Sequence, residues 1–149
     1  MNIETFMSYA INLAEIAFNK DEVPVGAIIV KDGEVIGRGF NQVISKNSVA
    51  SHAEINAIND ASKNIGNYRL NNCDMYVTLE PCHMCAKAIV DARISHVYFA
   101  AREPKTGALE SIDKFFDKNY LNHQVNFTGG HLEEESSKLL KKFFILRRN

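Results

Sequence analysis

Apolar residues recur at helical spacing through Ile3, Phe6, Met7, Ala10, Ala14, Ala17 and Phe18, which predicts an opening amphipathic helix that ends before Pro24. Val25–Val30 and Glu34–Phe40 flank Lys31-Asp32-Gly33 and read as a hairpin turning at Asp-Gly. A polar loop, Asn41 to Ser51, leads into a second helix from Ala53 to about Lys63. Met75–Leu79 reads as a buried strand. Pro81 then stands where a helix can start, and the pattern predicts that helix from Cys82 to about Asp91. His96–Ala100 is the next strand, followed by a short helix (Ile112 to Asp117) and a strand (Gln124 to Thr128). The Gly129-Gly130 breaker precedes a last helix from about Leu132 to Leu146. After the hairpin, strands alternate with helices, so the expected fold is α/β, a mixed sheet of five strands sandwiched by helices. No repeat or linker interrupts the order, which points to one domain over residues 1–149.

Composition narrows the setting. With 46% hydrophobic and 23% charged residues, the 149-residue chain can build a core and does not read as disordered. No apolar run is long enough to span a bilayer, and Met1 to Phe6 lacks a signal-peptide pattern, so a cytoplasmic protein without membrane contact is expected. Net charge of −1 gives no global pull toward nucleic acid. Any such partner would need a local basic surface: Arg102 with Lys105, or Lys138, Lys141, Lys142, Arg147 and Arg148. Cys73 reads as a small buried hydrophobe.

The chemistry concentrates in two short stretches, Ser51-His52-Ala53-Glu54 and Glu80-Pro81-Cys82-His83-Met84-Cys85. One imidazole (His52) and two thiolates (Cys82, Cys85) supply three zinc ligands, and a zinc held by three protein ligands keeps a position for water. Cys82 and Cys85 are spaced to share one face of a helix start, where the helix dipole favours thiolate. Glu54 is open to two readings. Ser51-x-x-Glu54 fits a capping box, in which the carboxylate only reaches back to a backbone N–H. It also shares a helix face with Ala57, Ile58, Ala61 and Ile65, where a carboxylate needs a firm partner. Counted with the cysteines, it is the better candidate for moving protons to and from water.

His-x-Glu followed by Pro-Cys-x-x-Cys is similar to the zinc deaminase pattern. The resemblance widens through Glu22-Val23-Pro24-Val25-Gly26-Ala27, Asn67-Tyr68-Arg69-Leu70, Tyr76 to Cys82, Ala101-Arg102, Lys105-Thr106-Gly107 and Phe143 to Arg148. Over nearly the whole chain these segments resemble the bacterial tRNA-specific adenosine deaminases. That resemblance implies a three-layer α/β/α cytidine-deaminase-like fold and conversion of the wobble adenosine of a tRNA anticodon to inosine. It further implies one Zn2+ per subunit on His52, Cys82 and Cys85, Glu54 as proton carrier, and a homodimer. Asn41 would contact the base or its sugar, and the Ala53 N–H and Glu80 carbonyl would hold the reacting edge. Arg102, Lys105, Phe144, Arg147 and Arg148 would meet the anticodon stem-loop. The outward residues on the last helix, Ile145 with Phe144 at the margin of the Leu132, Leu139, Phe143 and Leu146 stripe, suit stacking on unpaired bases, though packing alone also accounts for them.

Ser48-Val49-Ala50-Ser51 stands where Asp-Pro-Thr-Ala is usual in that family, Lys87 where glycine is, and Glu103-Pro104 where Asp and a small residue are common. These departures fall on the lip of the expected pocket and on a helix surface. Two rivals share the zinc residues: a deaminase of a free base or nucleoside, of the cytosine or guanine type, and a zinc-stabilised binding module without catalysis. Glu54 argues against the second, since a structural zinc has no use for a proton carrier.

Overall fold

The computed structural model describes residues 2–147. Its elements are α1 (Ile3–Asn19), β1 (Gly26–Lys31), β2 (Glu34–Phe40), α2 (Ala53–Ile65), β3 (Cys73–Leu79), α3 (His83–Asp91), β4 (His96–Ala101), β5 (Asn126–Thr128) and α4 (Glu133–Arg147). The five strands form one sheet in the order β2-β1-β3-β4-β5. β1 runs antiparallel to both β2 and β3, while β3, β4 and β5 are parallel.

Alternation along the strands assigns each face of the sheet its own helices. Ala27, Ile29, Met75, Val77, Val97 and Phe99 face α2 and α3. Ile28, Val30, Tyr76 and Ala100 face Phe6, Met7, Ala10 and Leu13 of α1. α4 joins that second layer, where Ser136 Oγ donates to the Thr78 carbonyl at 2.6 Å and Phe143 meets Phe18 edge to face. Helix α2 lies unusually close to β2. A Cβ on Gly39 would sit 2.4 Å from the Ala53 carbonyl oxygen, and one on Gly37 2.6 Å from that of Ala57. Only glycine permits this approach, and it fixes the start of α2, hence His52, against the sheet edge.

Three expectations are corrected in detail. The helix expected from Ile112 to Asp117 shortens to a single 3-10 turn at Phe115–Asp117. Asp113 is drawn out of helical pairing: its carboxylate meets His83, Lys118 and the Lys114 N–H. Leu146, expected in the inward stripe of the last helix, is exposed, and Ser136 and Phe143 are the buried positions of α4. The helix expected from Cys82 begins one residue later, at His83, because Cys82 itself is the N-cap of α3.

Candidate active site

Two helix starts meet where β1 begins and β3 ends. His52 is the N-cap of α2 and Cys82 the N-cap of α3, both with extended backbone, and neither side chain caps its own helix. That leaves both side chains free to converge, and Cys85 follows one turn into α3. His52 Nδ1 lies 3.7 Å from Cys82 Sγ and 3.5 Å from Cys85 Sγ, and the three ligand atoms fall within 4.8 Å of one another. A tetrahedral zinc with ordinary Zn–N and Zn–S bonds separates its ligand atoms by roughly 3.5–3.8 Å, so these residues fit the ion without rearrangement.

Their proton chemistry fits as well. The hydrogen bond from the Cys85 thiol brings Cys82 down to about 4, and the same bond, with burial, pushes Cys85 up. A divalent cation in this place would stabilise both sulfurs as thiolates. The hydrogen bond to Cys82 raises the His52 imidazole.

Glu54, at 4% exposure, lies one residue beyond the first turn's opening position and points into the same space. Burial pushes its carboxyl up to about 7, which suits a group that both takes and gives protons near neutrality. The capping-box alternative does not form. Ser51 Oγ donates to Asn56 Oδ1, and the open N–H of Ala53 is taken by Asn41 Oδ1 at 2.7 Å. Asn41 therefore caps α2 from the preceding loop. Asn41 and Ala53, both expected to touch the substrate, are partners of each other here, so the Ala53 N–H meets a base only when Asn41 gives way.

The cleft above these groups encloses about 210 Å³ and is bordered by Val23, Asn41, His52, Glu54, Cys82 and Thr106. It opens toward an apolar hollow of about 360 Å³ lined by Val43, Ile44, Phe143, Phe144 and Arg147. A larger groove, about 500 Å³, lies between α1 and α4 and is lined by neither metal ligands nor Glu54.

Sequence reasoning missed the two carboxylates that build the rim. Glu22, 2% exposed, accepts the N–H groups of Ile44 and Ser45 at 3.1 and 2.7 Å, holding the loop from Asn41 to Ser51. Glu80, also 2% exposed, accepts the N–H groups of Glu103, Leu109, Glu110 and Ser111 at 2.8–3.1 Å, together with the Ser111 hydroxyl. Burial alone would raise both acids, yet these hydrogen bonds outweigh it and hold each below the usual carboxylate range. Gly107 is obligatory beside Glu80, because a Cβ there would stand 2.4 Å from the carboxylate carbon. The one available signal was Gly107 in Lys105-Thr106-Gly107, and nothing in local spacing connects it to Glu80.

The expected RNA contacts are placed unevenly. Phe144 and Arg147 border the hollow beside His52, while Arg147 also donates to the Asp21 carbonyl and stacks over Phe143 at 4.8 Å. Arg102 is engaged by Glu133 at 2.7 Å and Glu110 at 3.4 Å, which offsets the positive charge expected there. Lys105 is exposed on the rim, and Arg148 lies outside the described residues. His83, His96, His123 and His131 bond to Asp113, Thr128 and the Ile94 carbonyl, and none joins a metal cluster among the described residues. Buried Cys73 donates to the Asn71 carbonyl.

Residues 1–101 match the model of the cytidine and deoxycytidylate deaminase zinc-binding region. A tRNA-specific adenosine deaminase of Haemophilus influenzae is 47% identical over 146 residues, covering 97% of this chain and 84% of its own. A solved structure from work on A-to-I editing by tRNA:A34 deaminases at the wobble position superposes with a TM-score of 0.89 at 45% identity. It covers 91% of this chain and 99% of its own. The guanine deaminase of Bacillus subtilis is more distant, with a TM-score of 0.67 at 36% identity over 100% of this chain and 96% of its own.

Proposed function

The chain belongs to the cytidine and deoxycytidylate deaminase family and, within it, to the tRNA-specific adenosine deaminases; from that premise we infer that it hydrolyses the wobble adenosine of a tRNA anticodon to inosine. The observation that carries the reading is the convergence of His52, Cys82 and Cys85 beside a buried Glu54 that is not part of the ligand set.

His52 Nδ1 and the two sulfurs would hold one zinc per subunit, and when bound the metal supplies a Lewis acid that eases ionisation of water near neutral pH. Glu54 takes a proton from the attacking water on a carboxylate oxygen. It passes that proton to the ring nitrogen beside the amino-bearing carbon, then takes the second proton from the newly added hydroxyl, which becomes the ring carbonyl, and delivers it to the departing amine. Water's oxygen bonds to that carbon, the C–N bond breaks, and ammonia leaves. The apolar walls of Val23 and Leu79 exclude bulk water from the ring. The Glu80 backbone carbonyl, in the residue that follows β3 at the cleft, would accept from the substrate's amino group.

The target must be unpaired to reach a cleft of this depth, and an anticodon loop meets that condition at low cost. Lys105, Phe144, Arg147 and Arg148 would meet the flanking nucleotides. We assign the protein to the cytoplasm, where tRNA is modified; no helix of the described residues is long and apolar enough to cross a membrane. A single deaminase domain and a homodimer complete the proposal. Met84 at the start of α3 and nearby Ile112 are 39% and 51% exposed, an apolar surface that a second copy would cover. Sedimentation at micromolar concentration should give the dimer mass, and a monomer there contradicts it.

The free-base alternative draws on the guanine deaminase likeness. Supplying zinc-loaded protein with an anticodon stem-loop, free adenosine, cytosine and guanine separates the two. Inosine on the stem-loop is expected, whereas turnover of a free base with none on the stem-loop would assign the protein to the other branch.

A further inference from the structure

Around the corner from the cleft, beyond the loop that carries Asn41, lies a second groove of about 320 Å³ between the edge strand β2 and helix α2. Arg38, Lys46 and Lys63 border it, against a single carboxylate, Asp60. That carboxylate is already occupied, accepting the Arg38 backbone N–H at 2.9 Å. Among the described residues, neither lysine has an acidic partner within 4.0 Å, and the Arg38 side chain has none either. Arg38 is held in place by its neighbour: the guanidinium stacks over the Tyr9 ring at 5.5 Å and Nε donates to the Tyr9 hydroxyl, which leaves the Nη nitrogens for an external acceptor. Gln42 and Asn56 supply neutral polar groups on the same wall, and Asn56 is fixed by donating to the Phe40 and Ser51 carbonyls.

This contrasts with the basic positions on the far rim, where Arg102 sits between two glutamates. In a chain of net charge −1, a groove bordered by three cations and one carboxylate keeps an excess of positive charge and is a local exception. Its wall is the covalent continuation of the cleft: Asn41 borders the metal site and Gln42 borders the groove. An RNA whose reacting base enters the cleft would run its backbone across that wall within one or two nucleotides.

We propose that the Arg38–Lys46–Lys63 groove binds the phosphodiester backbone of the RNA substrate beside the edited nucleotide. This rests on the tRNA reading of the cleft and extends it, giving the RNA a second point of attachment on the β2 side. The contact is electrostatic and sequence-independent, so it sets affinity and orientation and leaves the choice of base to the cleft.

Lys46 and Lys63 are exposed and belong neither to the ligand set nor to the lining of the metal cleft, so their replacement should leave fold and zinc intact. Lys46→Glu with Lys63→Glu should weaken binding of an anticodon stem-loop about ten-fold at moderate salt and lower the salt slope of log K by roughly 1.5–2. Lys46→Arg with Lys63→Arg should restore both. Neutral methylphosphonate linkages beside the wobble position should weaken the native protein but add nothing to the Glu variant. Binding and salt slope unchanged in the Glu variant overturn the proposal. Native protein that binds the stem-loop through this groove yet forms no inosine would instead refute the assigned reaction, so the two failures are distinguishable.

Discussion

The two lips of the cleft are built by the same device at different strengths. Each is a loop held from beneath by a buried carboxylate, but Glu22 takes two backbone N–H groups where Glu80 takes four and a hydroxyl. The Glu80 lip is further pinned by the Ala108 N–H donating to the Pro81 carbonyl at 2.9 Å, one residue from the ligand Cys82. The Glu22 lip instead exposes Ile44 and Val49, 67% and 85% accessible, and meets the floor only near its two ends, through Asn41 with Ala53 and Val25 and through Ser51 with Asn56. One wall is therefore held by more bonds than the other, and the Glu22 side is the one expected to yield more readily.

Breaking the stronger lip should have the largest effect. Glu80→Gln keeps shape but turns an NH2 toward groups that are all donors, and should cost on the order of 3 kcal/mol, read by urea unfolding. Stem-loop KM should rise with it, since Lys105 and Thr106 lose their seat. Acid supplies the same test without mutation. The folded Glu80 titrates below its unfolded value, so its contribution is complete above the unfolded pKa of about 4.3 and is lost as pH falls through the folded value. Native stability should fall in that window and the Glu80→Gln protein should fall less.

Gly107→Ala attacks the same lip from the opposite side, pressing a Cβ onto the carboxylate. About 2 kcal/mol of stability should go, with zinc retained, and a neutral result would mean the lip is looser than its hydrogen bonds imply. Glu22→Gln should cost about 1 kcal/mol. Hydrogen exchange sharpens the contrast most gently: the Leu109, Glu110 and Ser111 amides should exchange more slowly than those of Ile44 and Ser45. The reverse order would remove the distinction between a fixed and a yielding wall.

The sequence made the floor readable and the rim not. His52, Glu54, Cys82 and Cys85 sit within two short motifs whose spacing states their chemistry, and the strand and helix order follows from apolar periodicity. Glu80 was read only for its carbonyl, because its carboxylate partners lie 23–31 residues further on. Arg102 was read as a free cation because Glu133 reaches it from 31 residues away, across the turn into α4. Leu146 kept the helical period yet faces outward, and Phe143 is the last buried position of α4. Period alone marks a face and cannot say how far the neighbouring layer extends.

The account turns on a buried carboxylate that moves protons without holding the metal. The direct measurement is single-turnover inosine formation on a stem-loop with wobble adenosine, by native and Glu54→Ala protein at matched zinc content. Native protein should convert the base, and Glu54→Ala should be slower by at least about a hundred-fold with zinc and folding unchanged. A variant that edits at near-native rate, or that loses its zinc with the carboxylate, would contradict the role assigned to Glu54.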